Sequence, residues 1–134
     1  IDDGENSFIQ ELGALDFDDI IALLHQTDIF CLPTGMQEGL PSAILEAGAC
    51  NTFVMATSIG GVTELIPDNS FGLLLENNDS ENIYKGLCYA VPNSEYRENT
   101  AASLNKRVLR KFSYTALYKK LDSIIWKTSN SSNV

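Results

Sequence analysis

Histidine, cysteine and basic residues are scarce where several common chemistries would need them. His25 is the single histidine of 134 residues and no ligand cluster surrounds it, which excludes a structural zinc site. Cys31, Cys50 and Cys88 are odd in number and widely spaced, with no C-x-x-C pair, so they are predicted to be buried free thiols in a reducing compartment. The longest apolar runs, around Asp28 to Pro33 and Gly72 to Leu75, fall far short of the roughly 20 residues of a membrane span. No basic n-region followed by an apolar h-region opens the chain, and its first residue is Ile1 rather than Met, so an excised portion of a longer protein is expected. No G-x-G-x-x-G follows any strand-like segment, which argues against an NAD-dependent oxidoreductase.

The sharpest absence is of Lys and Arg, which do not occur before Lys85, while the same stretch carries fifteen Asp and Glu. Residues 85–134 carry nine basic and three acidic residues. The net charge of −9 is the wrong sign for a nucleic-acid or anionic-lipid binder. The asymmetry reads either as a field that steers partners or as an acidic loop layer lying against basic helix faces within one fold.

What is present is a foldable chain of one-domain length, 44% hydrophobic. Short apolar runs at Phe8 to Leu12, Asp28 to Pro33, Thr52 to Thr57 and Phe71 to Leu75 read as strands, the last three as strands buried on both faces. Helical patterns separate them. The first runs from about Asp16 to Thr27 with Ile20, Leu23 and Leu24 inward. The second starts with Pro41 at its first position and ends at Asn51, suited to a left-handed cap. A third begins near Asp79 with Ile83, Leu87 and Val91 on one stripe and stops at Pro92; a fourth runs from about Ser94 with Ala101, Leu104 and Val108. A fifth, capped by Ser113, carries Leu117, Leu121, Ile124 and Ile125, and Ser129 to Val134 is a polar tail. This alternation predicts an α/β fold, a Rossmann-like parallel sheet flanked by helices with right-handed crossovers.

Ligands of such sheets bind at the carboxyl ends of the strands. After Leu32-Pro33 the chain reads Thr34-Gly35-Met36-Gln37-Glu38-Gly39-Leu40-Pro41-Ser42 and then enters the helix that holds Glu46. A helix starting there offers the N–H groups of Leu40, Ser42 and Ala43 to a phosphate, since Pro41 has none. Gly39 removes a side chain where a ligand must approach, and Ser42 adds a hydroxyl. A carboxylate beside phosphate is repelled by it, so Glu38 and Glu46 must face neutral donors, and a nucleotide sugar has a diol on each side of its phosphates.

The string Leu-Pro-Thr-x3-Glu-Gly-Leu-Pro-Ser-x3-Glu-Ala resembles the C-terminal domain of GT-B fold glycosyltransferases, specifically glycosyltransferase family 4, the glycosyl transferases group 1. Ala49 to Thr57 resembles the family's A-C-G-x-P-V-V-A-T, Gly60 to Ile66 its G-G-x-x-E-x-I, and Phe71 to Leu74 its N-G-L-L. Asn51 for Gly and Phe53 for Pro are departures. The similarity covers about residues 8–126.

The resemblance implies that Glu46 binds the ribose of the donor, and that Glu38 binds the donor sugar and is the catalytic carboxylate. Gly39, Leu40, Pro41 and Ser42 would line sugar and diphosphate. It implies a retaining, metal-independent hexosyltransferase without a bound cofactor, whose substrate is a UDP- or GDP-sugar. Its acceptor would be a sugar or lipid-linked saccharide, in polysaccharide, lipopolysaccharide or glycolipid synthesis, with a cytoplasmic location and peripheral membrane contact in some members. Residues 1–128 would be a partial donor-binding domain, lacking the acceptor domain, the first two strands of the sheet centre and the family's phosphate-binding Arg and Lys. Such a fragment should not turn over alone. The alternative is a non-catalytic nucleotide-binding or interaction module of the same fold.

Other features keep two readings. Gly60 and Gly61 form a structural turn or place amides near phosphate, and Glu64 faces the site or solvent. Asp16-Phe17-Asp18 reads as a helix cap rather than a metal motif. Lys106 to Lys111 is a solvated face, a domain contact or a membrane contact, and Tyr114, Tyr118 and Trp126 are expected to pack the last helix onto the body.

Overall fold

A computed structural model describes residues 8–37 and 39–130, with side chains as far as Asp122. Three strands, β1 (Ile29–Leu32), β2 (Phe53–Thr57) and β3 (Leu73–Leu75), pair in parallel in the order β1-β2-β3. The helices are α1 (Phe17–Leu24), α2 (Ser42–Ala49), α3 (Val62–Leu65), α4 (Ser80–Ala90), α5 (Ser94–Lys111) and α6 (Tyr114–Asn130).

β2 is the central strand and buried at all five positions, as a two-sided parallel sheet demands. Its side chains alternate between two cores. Val54 and Ala56 join Leu24, Ile44, Ala47, Leu65, Leu104 and Val108 under α1, α2 and α5. Phe53 and Met55 join Leu75, Ala90 and Ala101 on the face covered by α4 and the start of α5. α5 therefore grips both faces, and Tyr96 reaches from it to donate to the Asn69 carbonyl at 3.0 Å. Thr52 Oγ1, buried, donates to the Leu24 carbonyl at 2.8 Å and ties α1 to the start of β2.

The local signals of the sequence operate as physical caps. Asp16 accepts from the Asp19 N–H at 3.0 Å, so that Asp-x-Asp string is a helix start. Asp79 accepts from the Asn82 N–H at 2.7 Å, Ser113 Oγ from the Ala116 N–H at 3.3 Å, and Asn51 stands at φ 60° after α2.

Several expectations are corrected. Phe8 to Leu12 forms no strand, and Phe8, Ile9 and Leu12 are exposed, because among the described residues no strand offers the segment a ladder. Pro41 is the cap of α2, with ψ 115°, rather than its first residue. Leu23 and Val91 face outward; Ile21 takes the inward place in α1, and α4 turns its buried face through Gly86 and Ala90. Cys31 and Cys50 are half-buried, but Cys88 is exposed on the outer side of α4, with its side chain against the Tyr84 hydroxyl. Tyr114, Tyr118, Leu117 and Leu121 are exposed as well, because they turn away from α5, against which α6 packs. The side chains of Ile124, Ile125 and Trp126 lie outside the described residues. α6 runs to Asn130, so Ser129 and Asn130 are helical rather than tail.

Candidate functional site

The parallel sheet carries the loops after β1, β2 and β3 to one edge. The first leads through Gly39, Leu40 and Pro41 into α2. Pro41 makes no side-chain cap, and the first backbone bond of the helix runs from the Ile44 N–H to the Pro41 carbonyl at 3.2 Å. The N–H groups of Ser42 and Ala43 precede that bond and point out of the helix start. The opposite end of α2 is tied down. Asn105 Nδ2 donates to the Gly48 and Ala49 carbonyls at 2.9 Å each, and the Thr52 N–H to the Ala47 carbonyl at 2.9 Å. α2 is thus closed at its negative end and uncapped at its positive end, the polarity that attracts an anion.

The second loop backs this mouth. Gly60 stands at φ 53°, in the left-handed region that favours glycine, and Gly61 caps α3. A Cβ on Gly61 would lie 2.3 Å from the Gly39 carbonyl oxygen and 2.9 Å from the Leu40 nitrogen. Backbone therefore packs on backbone here, and no side chain fits between. The third loop joins from the far side, where Asn78 lies against Gly35.

Around this mouth Gly39, Leu40 and Ser42 are exposed and Pro41 is buried. Glu46 lies one turn beyond Ser42 on the same helix face, about 6 Å along the axis. It is half-buried. Its carboxylate stands close enough to Cys50 to add to the upward push that burial gives that thiol. Glu64 is exposed on α3, and its backbone carbonyl accepts from Arg107 Nη2 at 2.8 Å. Glu38 lies outside the described residues.

The geometry thus brings Gly39, Leu40, Pro41, Ser42, Gly60 and Gly61 together, with Glu46 one turn down and Glu64 turned to solvent. The close approach of Gly61 to Gly39 was not legible in the sequence beyond the Gly-Gly pair itself. The roles of Asn78 and Asn105 left no signal there. Thr57, at the end of β2, has a buried hydroxyl with no hydrogen-bond partner. Among the described residues no group of His, Cys, Asp and Glu is arranged to hold a metal ion, and no helix is long and apolar enough to cross a membrane.

Residues 8–107 match the family described as glycosyl transferases group 1. An uncharacterized glycosyltransferase of Methanocaldococcus jannaschii is 30% identical over 108 residues, which are 81% of this chain and 30% of that protein. The C-terminal domain of the group 1 family protein LpcC from Francisella tularensis superposes with a TM-score of 0.67 at 27% identity, over 79% of this chain and 53% of that one. Anabaena HepE, solved with UDP-glucose, superposes with a TM-score of 0.74 at 18% identity, over 81% of this chain and 30% of that one. The chain spans about a third of the length of the first relatives it matches. Its fold is that of the C-terminal domain of GT-B glycosyltransferases.

Proposed function

The chain belongs to the glycosyl transferases group 1 family, and on that premise we propose that it is the donor-binding part of a retaining, metal-independent hexosyltransferase of family 4. The observation that carries the reading is the uncapped start of α2, open at the carboxyl edge of the sheet and backed by Gly61. A donor diphosphate seated there accepts from the N–H groups of Leu40, Ser42 and Ala43, with the Ser42 hydroxyl beside them. Exposed Gly39 lets the ligand reach backbone. Glu46, one turn down the same face, accepts from the ribose hydroxyls of a UDP- or GDP-sugar, and Glu38 accepts from the hydroxyls of the donor sugar.

The reaction in this reading breaks the bond between the anomeric carbon and the diphosphate oxygen and forms one to the acceptor oxygen on the same face. The leaving diphosphate oxygen takes the acceptor proton. Helix amides stabilise the negative charge that grows on the diphosphate, so the protein contributes position and charge stabilisation. Residues 1–84 hold no Lys or Arg, so amide dipoles carry that work within this stretch. The acceptor, a sugar or lipid-linked saccharide in polysaccharide, lipopolysaccharide or glycolipid synthesis, would be held by another domain of a longer cytoplasmic protein, in some settings at a membrane face. The chain by itself would bind donor without turning it over.

The test is calorimetric titration of the chain with UDP-glucose and with GDP-mannose, for wild type and Glu46→Gln. Saturable binding of one of them, weakened about tenfold or more by the substitution, is expected from the loss of a charge-assisted pair of hydrogen bonds. Equal affinity in both proteins would overturn the ribose role. Sugar transfer by the chain alone would overturn the division of labour between domains.

A further inference from the structure

Helix α5 carries a feature the donor reading does not use. Ser103, Lys106, Arg107 and Arg110 fall at spacings of three and four and share one helix face. With Phe71 they line a pocket of about 250 Å³. Phe71 precedes β3, and the adjoining Gly72 packs on the Val54 carbonyl near the start of β2. The pocket thus lies beside the entry to β3, and its lining shares no residue with the mouth formed by Gly39 to Ser42, Gly60 and Gly61.

Its charge is fixed in place. The Arg107 guanidinium carbon stands 5.3 Å from the centre of the Phe71 ring, and Nη2 donates to the Glu64 carbonyl at 2.8 Å. Among the described residues Lys106, Arg107 and Arg110 form no salt bridge; the pair Lys85–Glu81, at 2.6 Å, lies within α4. Among the described residues no carboxylate of the acidic half of the chain forms a salt bridge with this face. Asp68 acts electrostatically on Arg107 but forms no salt bridge with it, and its Oδ1 accepts from the Ser70 N–H at 2.8 Å and from the Ser70 hydroxyl. The macrodipole of α5 accounts for Arg110 and Lys111 in its last turn. It does not account for Lys106 and Arg107 a turn earlier. Like charges three and four residues apart repel each other along a helix, and the lining contains no carboxylate to offset that.

We propose that this pocket binds a phosphate group, separately from the donor site. Lys106 supplies a mobile ammonium, Arg110 a guanidinium fork and Ser103 a hydroxyl, all donors, to an anion whose oxygens are all acceptors. Two sources share that chemistry, a soluble phosphate and the headgroup of an anionic lipid.

The chain is titrated with inorganic phosphate against chloride at matched ionic strength, with backbone amides followed by NMR. Saturable shifts confined to residues 71 and 103–110 are expected, with a Kd on the order of a millimolar. The double variant Lys106→Ala/Arg110→Ala should weaken binding about tenfold or more. The charge-matched Lys85→Ala/Lys119→Ala should change it less than about twofold. Both pairs are exposed, and Lys106→Gln alone repeats the test if the double variant unfolds. Shifts that do not saturate, that spread over all the lysines, or that fall equally in the control pair would overturn the site. Vesicles of phosphatidic acid against phosphatidylcholine then assign the source: cosedimentation reversed by free phosphate means a lipid headgroup, and phosphate binding without cosedimentation means a soluble anion. UDP-glucose shifts at residues 40–43 should be the same in the Lys106/Arg110 variant, so the two sites succeed or fail separately.

Discussion

Gly61→Ala puts a single methyl where the structure has no room. The added Cβ would lie 2.3 Å from the Gly39 carbonyl oxygen, 2.7 Å from its carbon and 2.9 Å from the Leu40 nitrogen. Ordinary contact begins near 3.4 Å, so the two loops must part by about 1 Å, and all three obstacles are backbone atoms with no rotamer to change. Overpacking of this kind costs about 1–3 kcal/mol, or roughly 4–12 °C of melting temperature in a domain of this size. The same displacement carries the Leu40 N–H away from the diphosphate position, and the loss of one charge-assisted hydrogen bond lowers donor affinity about 10- to 100-fold. Thermal melting and calorimetry with UDP-glucose or GDP-mannose, whichever binds, read both effects. Gly39→Ala is the contrast, because nothing lies within 4 Å of its Cβ position. It should leave stability within about 0.5 kcal/mol and still weaken donor binding. A Gly61→Ala protein that melts with wild type and binds donor equally would refute the argument.

Further outcomes follow from single contacts. Thr57→Val removes a buried hydroxyl that has no partner and should raise stability by about 1 kcal/mol in urea denaturation; a loss of donor affinity instead would show that the hydroxyl serves a ligand. Thr52→Val deletes the buried bond to the Leu24 carbonyl and should cost only about 0.5–1.5 kcal/mol, because that carbonyl still accepts from the Thr27 N–H at 3.1 Å. Gly86→Ala would press on Met55 Sδ at 2.6 Å and Leu75 Cδ2 at 2.9 Å, and should lower the melting temperature, though less than Gly61→Ala, since side chains can yield where backbone cannot. The Asn82 N–H and side chain hold the Asp79 carboxyl below its ordinary value of 3.8, so its cap stabilises the fold above that pH and is lost as pH falls through the lowered value. Asp79→Asn, which caps without titrating, should flatten the melting profile below about pH 4.

The legible parts of the sequence were those set by local rules. The apolar runs of β1, β2 and β3, the capping residues Asp16 and Ser113, the helix start near Asp79 and the left-handed Asn51 depend on near neighbours, and the structure realises each. The strand expected at Phe8 to Leu12 needs a partner to form, and an alternating apolar segment does not say whether one exists. The outward faces of Leu23, Val91, Leu117 and Tyr118 depend on which helix lies opposite, a long-range fact that periodicity leaves open. Of the candidate site, the segment Gly39 to Ser42 was marked by its own residue types. The packing of Gly61 on Gly39 joins residues 22 positions apart, and the Gly-Gly pair signalled only that close backbone was needed somewhere.

Amide NMR during a titration with UDP-glucose or GDP-mannose reads the N–H groups at the start of α2 one by one. Saturable shifts concentrated at Leu40, Ser42, Ala43 and Gly61 are expected, with Glu46→Gln weakening the binding they report. Saturation that leaves those four amides still while moving others elsewhere on the sheet would contradict a donor site at that helix start.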